Sequence, residues 1–85
     1  MKAIYKYPIQ ITNEQDIAMP AHANVLHVGL DPQGIPSVWA MVDTAKPLKP
    51  VSLLVVGTNH TVPVEPLCHV GSFTQNLSVW HVFLK

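Results

Sequence analysis

The segment from Asn24 to Asp43 constrains the fold of this chain most strongly, because its residues predict a β-hairpin with a defined register. Within it, Asp31-Pro32-Gln33-Gly34 places an acceptor side chain first, a proline with fixed φ second and a glycine fourth. This order is typical of a type I turn that closes into a glycine bulge. The segment is therefore expected to form two antiparallel strands.

Pairing Asp31 with Ile35 sets the expected register of this hairpin. One face is then almost wholly apolar, with the pairs Leu30 and Pro36, Val28 and Val38, Leu26 and Ala40, and Asn24 and Val42. The other face is mixed, with the pairs Val25 and Met41, His27 and Trp39, and Gly29 and Ser37. His27 and Trp39 are therefore predicted to be cross-strand neighbours on a surface that can meet a second layer or a ligand.

Further short strands are expected on both sides of the hairpin. Ala3 to Ile11 alternates apolar and polar residues, and its lysines and Pro8 favour a sheet edge. Asp16 to Met19 is interpreted as a short second strand that returns beside the first. Thr44 to Pro50 is expected to be a loop or an extended crossover, since it contains two prolines. Val51 to Gly57 is a continuous apolar run and predicts a central strand.

The C-terminal part of the chain predicts a second hairpin. Val62 to Pro66 is expected to be extended and not central, because it contains two prolines. Cys68 to Phe73 and Leu77 to Leu84 then flank the turn-like Thr74-Gln75-Asn76, and the last strand carries apolar residues on both faces. The predicted fold is therefore all-β: one domain over residues 1–85, a small antiparallel sandwich or barrel of six to seven short strands with little or no helix.

Composition narrows the class of function. The chain has five lysines, no arginine and five acidic residues, so its formal charge is zero. Direct binding of nucleic acid would require a basic stripe, and mimicry of nucleic acid would require strong acidity. This chain has no such excess of charge, so neither function is expected. The chain is 48% hydrophobic with a mean hydropathy of +0.25, which predicts self-association as a homo-oligomer.

The expected location is the cytoplasm. Cys68 is the single cysteine, so no internal disulfide is expected, as is typical of a reducing compartment. Met1 to Lys6 lacks the apolar core of a signal peptide, and no apolar run is long enough to span a bilayer.

Histidine is frequent, but its spacing does not predict a metal site. The five histidines do not fall at zinc-ligand spacings, and Cys68-His69 is not half of a CxxC pair. We therefore expect no metal and no cofactor, with His27 and His81 packed against aromatic neighbours. Asp43, His60 and Thr61 could supply the acid, base and hydroxyl of a hydrolase. Their spacing does not support this hypothesis, because the sequence has no nucleophile elbow and no glycine-rich phosphate loop. Catalysis is not expected.

Two binding elements are predicted instead. Gly57-Thr58-Asn59-His60 follows a buried strand and offers backbone N–H groups, a hydroxyl, an amide and an imidazole, a set suited to a phosphate or a polar partner group. The alternative for these four residues is a tight turn capped by Asn59. The second element is Trp39 with His27, an aromatic anchor for a partner or a base, whereas Trp80 is expected in the core.

Several strings in order resemble one family: KAIYKYPI, IAMPAHANVLHV, SVWAMVD, VVGTNH, HVGSF and LSVWHVF. They are similar to small uncharacterised proteins of bacteriophages and prophages that open with K-x-I-x-K-Y, carry W-A-x-V-D and G-T-G-H, and close with V-W-H-V-F. Asn59 stands where that pattern has its second glycine. Asparagine tolerates the left-handed conformation better than most residues, so the turn is expected to survive.

The resemblance implies phage origin, expression in a bacterial host cytoplasm and no established enzymatic activity. By analogy, the expected function is antagonism of an anti-phage defence, through binding of a host effector protein or capture of its nucleotide signal. The alternative is a structural or assembly accessory of the virion, and a small hydrolase is the third hypothesis.

Overall fold

The computed structural model describes residues 1–62 and 68–85, and these residues form seven β-strands without a helix. The strands are β1 (Lys2–Pro8), β2 (Glu14–Pro20), β3 (Asn24–Leu30), β4 (Pro36–Asp43), β5 (Leu48–Gly57), β6 (Cys68–Gln75) and β7 (Ser78–Leu84). Every pairing is antiparallel. The predicted all-β antiparallel class is therefore confirmed.

The strands form two sheets that enclose one apolar core. The first sheet has the order β1-β4-β3 and the second has the order β2-β5-β7-β6. The core draws on both, with Val28, Val38, Ala40 and Val42 from the first sheet and Leu53, Val55, Phe73 and Val82 from the second. Strands β3 and β6 approach closely, since a Cβ added at Gly71 would lie 3.2 Å from the Cβ of Val28.

The first hairpin follows the predicted register only near its turn. Leu30 pairs with Pro36, and the register holds as far as His27 and Trp39. Leu26 is then an extra residue in a β-bulge, which leaves Val25 opposite Ala40 and Asn24 opposite Met41. The predicted pairings of Leu26, Val25 and Asn24 are therefore wrong. The Leu26 side chain is 45% exposed instead of buried.

The turn of this hairpin is built around the buried carboxylate of Asp31. Its Oδ1 accepts hydrogen bonds from the backbone N–H groups of Gln33 and Ile35, both at 2.9 Å, and its Oδ2 accepts one from Lys6 Nζ at 2.8 Å. The bonds from Lys6 and Ile35 hold the pKa of Asp31 below its ordinary value. Gly34 has φ of 81°, as the predicted glycine bulge requires.

Strand β1 lies at a sheet edge, as predicted, but β2 does not return beside it. Strand β2 pairs with β5 in the other sheet, with Ile17 opposite Val51. Between β1 and β2 the side chain of Gln15 closes a bend: Oε1 accepts from Gln10 N–H at 3.0 Å and Nε2 donates to Gln10 O at 2.6 Å. The prediction was wrong because this side-chain bend leads the chain out of the first sheet.

Strand β5 is central, between β2 and β7, as predicted. It begins at Leu48 and so includes part of the expected loop; Pro50 lies opposite Ala18 on β2. Of the segment predicted to be extended, only Val62 lies within the described residues, outside any strand. No helix capable of crossing a membrane occurs in residues 1–62 and 68–85.

The second hairpin is confirmed, with a tighter turn than predicted. Gln75 pairs with Ser78, so the loop consists of Asn76 and Leu77 alone. Both have positive φ, 54° and 64°, which is the geometry of a type I′ turn. Strand β7 is buried at Val82 but leaves Val79 exposed, so the expected burial of both faces holds only over part of the strand.

Candidate functional site

The four residues Gly57-Thr58-Asn59-His60 form a tight turn at the end of β5. The N–H of His60 donates to Gly57 O at 3.1 Å, and Asn59 has φ of 74°. A positive φ at the third residue alone is the signature of a type II turn, which favours glycine or asparagine there. Asparagine tolerates this conformation, so the turn forms without a glycine at its third position.

Gly57 allows two aromatic rings to pack against the backbone of this turn. A Cβ at Gly57 would lie 3.0 Å from Cζ3 of Trp80 and 3.2 Å from the Nδ1 and Cε1 atoms of His60. The two rings meet edge to face, with centroids 6.4 Å apart and planes at 76°. A side chain at Gly57 would force both rings to shift by a few tenths of an ångström, so close approach favours glycine here.

Two cavities lined by described residues adjoin the turn. One of about 320 Å³ is lined by Gly57, Thr58, His60, Leu77, Ser78, Val79 and Trp80. The other, of about 190 Å³, is lined by Val56, Gly57, Thr58, Asn59, His60, Val62, His81 and Phe83. Since both include Gly57, Thr58 and His60, the turn separates two concave surfaces and its side chains are available to each.

Trp80 contributes a buried donor beside the first cavity. Its ring packs against the core, as predicted. Its Nε1–H, however, is buried and makes no hydrogen bond within the part of the chain that the structure describes. An indole nitrogen can only donate, and buried donors are nearly always paired in proteins. The ring atom beside Gly57 is Cζ3, on the edge of the indole away from Nε1, so an acceptor at this site can reach the Nε1–H only if the ring turns.

A chain of polar side chains runs across β6 and β7 to the turn. Ser72 Oγ lies 3.2 Å from His69 Nε2 and 2.8 Å from His81 Nδ1, and His81 Nε2 lies 3.0 Å from Thr58 Oγ1. Thr58 Oγ1 also donates to Val79 O at 3.3 Å, so it accepts from His81 Nε2–H. His81 Nδ1 must then accept the hydroxyl proton of Ser72, which fixes the tautomer of neutral His81.

The sequence did not predict that His69 and Ser72 belong to the hydrogen-bonded chain that reaches Thr58. Ser72 and His81 become neighbours only through the register of β6 and β7, which is shifted by a bulge between His69 and Gly71. His81 lies beside the ring of His69, with centroids 6.4 Å apart, and both of its ring nitrogens bind hydroxyl groups. The sequence signal that could have placed Ser72 opposite His81 is the short turn between the two strands, because it sets the pairing of Gln75 with Ser78.

The second predicted element, Trp39 with His27, forms a separate surface. The two residues are cross-strand neighbours with ring centroids 5.3 Å apart, which confirms that prediction. Lys6 is opposite Trp39 on the other side, on β1. These residues belong to the first sheet, whereas Gly57 to His60 extend from the second, so the structure does not join the two elements into one site.

The three residues considered for a hydrolase are not assembled. Asp43 ends β4, where its Oδ1 binds the N-terminal amine at 3.2 Å and the N–H of Ala45 at 3.1 Å. These two hydrogen bonds hold the pKa of Asp43 below its ordinary value. His60 instead packs against Trp80 on the other sheet. Among residues 1–62 and 68–85, no three side chains of His, Cys, Asp or Glu form a group that could hold a metal.

Comparison with known proteins gives a family without a described function. The family model for a domain of unknown function, DUF7352, matches residues 1–85. Comparisons with curated proteins and with solved structures gave no match. Since the family model covers the chain from its first to its last residue, the protein belongs to the family described as domain of unknown function DUF7352.

Proposed function

We propose that this protein is a non-catalytic binding protein whose ligand site is the turn Gly57 to His60 together with Trp80. The observation that carries the proposal is the position of one tight turn between two cavities, of about 320 and 190 Å³. The larger cavity lies within the size range of small-molecule sites. Trp80, which lines it, has a buried Nε1–H without an acceptor, and a ligand that turns the ring would supply that acceptor.

The chemistry of the site favours a polar group that accepts hydrogen bonds, such as a phosphate or a peptide carbonyl. The Asn59 amide and the His60 imidazole are exposed polar groups that can donate hydrogen bonds, and the His60 and Trp80 rings provide apolar surface beside them. Both ring nitrogens of His81 are already engaged by Ser72 and Thr58. This arrangement supports a role for His81 in rigidifying the turn.

The biological setting that we propose comes from the resemblance to phage and prophage proteins. In that setting the protein acts in the bacterial host cytoplasm and antagonises an anti-phage defence. Its ligand is then either a host effector protein or the nucleotide signal that activates the effector. The acceptor-rich surface of a nucleotide suits the donors of the turn.

Self-association is the second part of the proposal. The outward face of the first sheet carries Trp39, His27 and Met41, and the side chain of Ile4 beside them is 61% exposed. Burial of such apolar area against a second copy would be favourable by about 25 cal/mol per Å². The face is therefore the proposed contact between copies.

The proposal is tested by what the protein retains when it is expressed in bacteria that carry an active nucleotide-signalling defence. Trp80→Phe removes the indole donor while it keeps an aromatic ring, and Trp39→Phe makes the same change at the separate surface. Mass spectrometry after denaturation measures retained nucleotides, and affinity capture measures retained effector protein.

We expect the wild-type protein and Trp39→Phe to retain the ligand, and Trp80→Phe to retain at least about tenfold less, as expected for a lost buried hydrogen bond. Equal retention by wild type and Trp80→Phe would contradict the proposed site. Absence of any retained nucleotide or effector, with the protein present in purified virions, would favour the virion accessory instead.

A further inference from the structure

A third cavity, of about 480 Å³, shares no residue with the two cavities at the turn. It lies where β1 begins, β3 begins and β4 ends, and it is lined by Lys2, Ala21, His22, Asn24, Met41, Val42, Asp43 and Lys46. Its volume is within the range of small-molecule sites. The lining combines apolar surface with polar groups, as ligand sites commonly do.

The charges of this cavity favour an anion. Lys2 and Lys46 both line it. The ion pairs within the described part of the chain join the N-terminal amine to Asp43, Lys6 to Asp31, and Lys85 to Glu14, so neither lining lysine has its ammonium group in an ion pair there. Asp43 is the single carboxylate in the lining. Two cations against one anion leave the cavity with net positive charge.

His22 adds a further polar group, held in an unfavourable backbone conformation. It has φ of 65° in the three-residue connection between β2 and β3. Glycine would adopt this conformation without strain, whereas other residues incur a cost of about 1 kcal/mol or more. A strained residue that lines a cavity is a reason to look for a ligand, because functional sites concentrate such conformations.

We propose that this cavity binds a small organic phosphate of nucleotide size. The phosphate lies between the ammonium groups of Lys2 and Lys46, with the imidazole of His22 at its side, and the apolar part of the ligand rests against Met41. Phosphate suits this lining because flexible lysines bind it as point charges. The proposal does not depend on the turn Gly57 to His60.

The test is an NMR titration of the ¹⁵N-labelled protein with three probes: ATP, inorganic phosphate and adenosine. At low ionic strength ATP should shift the amide signals of residues 21–24 and 41–46, with adenosine binding at least about tenfold more weakly because it lacks phosphate. Raising the salt concentration should weaken ATP binding, since exposed charges are screened. Inorganic phosphate should shift the same signals at higher concentration.

Variants locate the site. Lys2→Gln and Lys46→Gln should each weaken ATP binding by about fivefold or more, whereas Lys49→Gln, which removes an exposed lysine outside the cavity lining, should leave it unchanged. His22→Gly should raise the thermal stability and still weaken ATP binding. The proposal is overturned by ATP shifts confined to other residues, by equal affinity of the cavity variants and wild type, or by equal weakening in Lys49→Gln.

Discussion

At the scale of single residues, positive φ values mark the positions where the backbone conformation is unfavourable for most side chains. Within residues 1–62 and 68–85, four residues other than glycine adopt them: His22, Asn59, Asn76 and Leu77. Asparagine and histidine are enriched in this conformation, but a leucine is not. Leu77 is also fully exposed, with a relative accessibility of 103%, so no packing explains its presence in the turn of the second hairpin.

Leu77→Gly is expected to stabilise the protein by about 0.5–1 kcal/mol. Glycine removes the left-handed strain of about 1–2 kcal/mol, and its greater freedom in the unfolded chain offsets part of this gain. Chemical denaturation with a constant m-value measures the change. Leu77→Ala keeps the strain and should leave the stability nearly unchanged. A glycine variant no more stable than the alanine variant would contradict this account.

The lowered pKa of Asp31 predicts how the stability of the protein responds to acid. Hydrogen bonds from Lys6 and Ile35 lower its pKa in the folded protein, so the folded state favours the carboxylate. The resulting stabilisation is present above the pKa of the unfolded chain, about 3.9, and is lost as the pH falls through the lower folded pKa.

The comparison of wild type with Asp31→Asn isolates this effect, because Asp43 titrates in both proteins. Thermal unfolding should show the variant less stable at pH 7, with the difference shrinking as the pH falls from about 4 toward 2. Lys6→Gln should reduce the same pH dependence, since the ammonium group is the first cause of the lowered pKa. A difference that stays constant from pH 7 to pH 2 would show that Asp31 does not titrate as inferred.

At the scale of elements, both hairpins form where local turn chemistry predicts them, and each contains a bulge that the pattern of residues does not reveal. In β3 the bulge is Leu26, and in β6 the register shifts between His69 and Gly71. Bulges bend a strand and increase its twist. Strands β3 and β6 lie beside one another, so both bulges occur where the edges of the two sheets approach.

Deletion of Leu26 should preserve the pairing of the first hairpin. Val25 is already opposite Ala40 and His27 opposite Trp39, so removal of the extra residue leaves every cross-strand pair intact. We expect cooperative unfolding and cross-strand NOEs between His27 and Trp39. Deletion of Val28 is the control, because it moves the preceding residues of β3 to the opposite face and should abolish folding. Loss of folding after deletion of Leu26 would show that the bulge itself is required.

At the scale of the whole molecule, the open outward face of the first sheet is the feature tied to the proposed self-association. Trp39 and Met41 lie half-buried on it, and Ile4 is exposed. Strand β1 also forms the edge of this sheet. The mean hydropathy of +0.25 agrees with a surface that is covered in solution.

Sedimentation velocity at about 10–100 μM should therefore show wild-type protein heavier than one chain. Ile4→Ser and Trp39→Ser should lower the mass toward that of a single chain, because each removes apolar area from the contact. Leu48→Ser is the matched control: Leu48 is 67% exposed but belongs to the second sheet. A wild-type monomer throughout this range would contradict the proposal, as would dissociation caused by Leu48→Ser.

The sequence alone determined the fold class, the two hairpins, the central position of β5 and the turn at Gly57 to His60. Each of these follows from signals within a few residues: alternation of apolar side chains, a proline or glycine at a fixed turn position, or an asparagine that tolerates positive φ. The neighbour relation of His27 and Trp39 followed as well, because it lies only a few pairs from the turn.

Tertiary structure decided the rest. The transfer of β2 to the second sheet, the bulge at Leu26 and the chain from His69 through Ser72 and His81 to Thr58 all depend on contacts between segments distant in sequence. The cavity between Lys2 and Lys46 likewise exists only after β1 and β4 have paired. Periodicity specifies which face of a strand is buried, but the partner of that strand is chosen by the packing of the complete core.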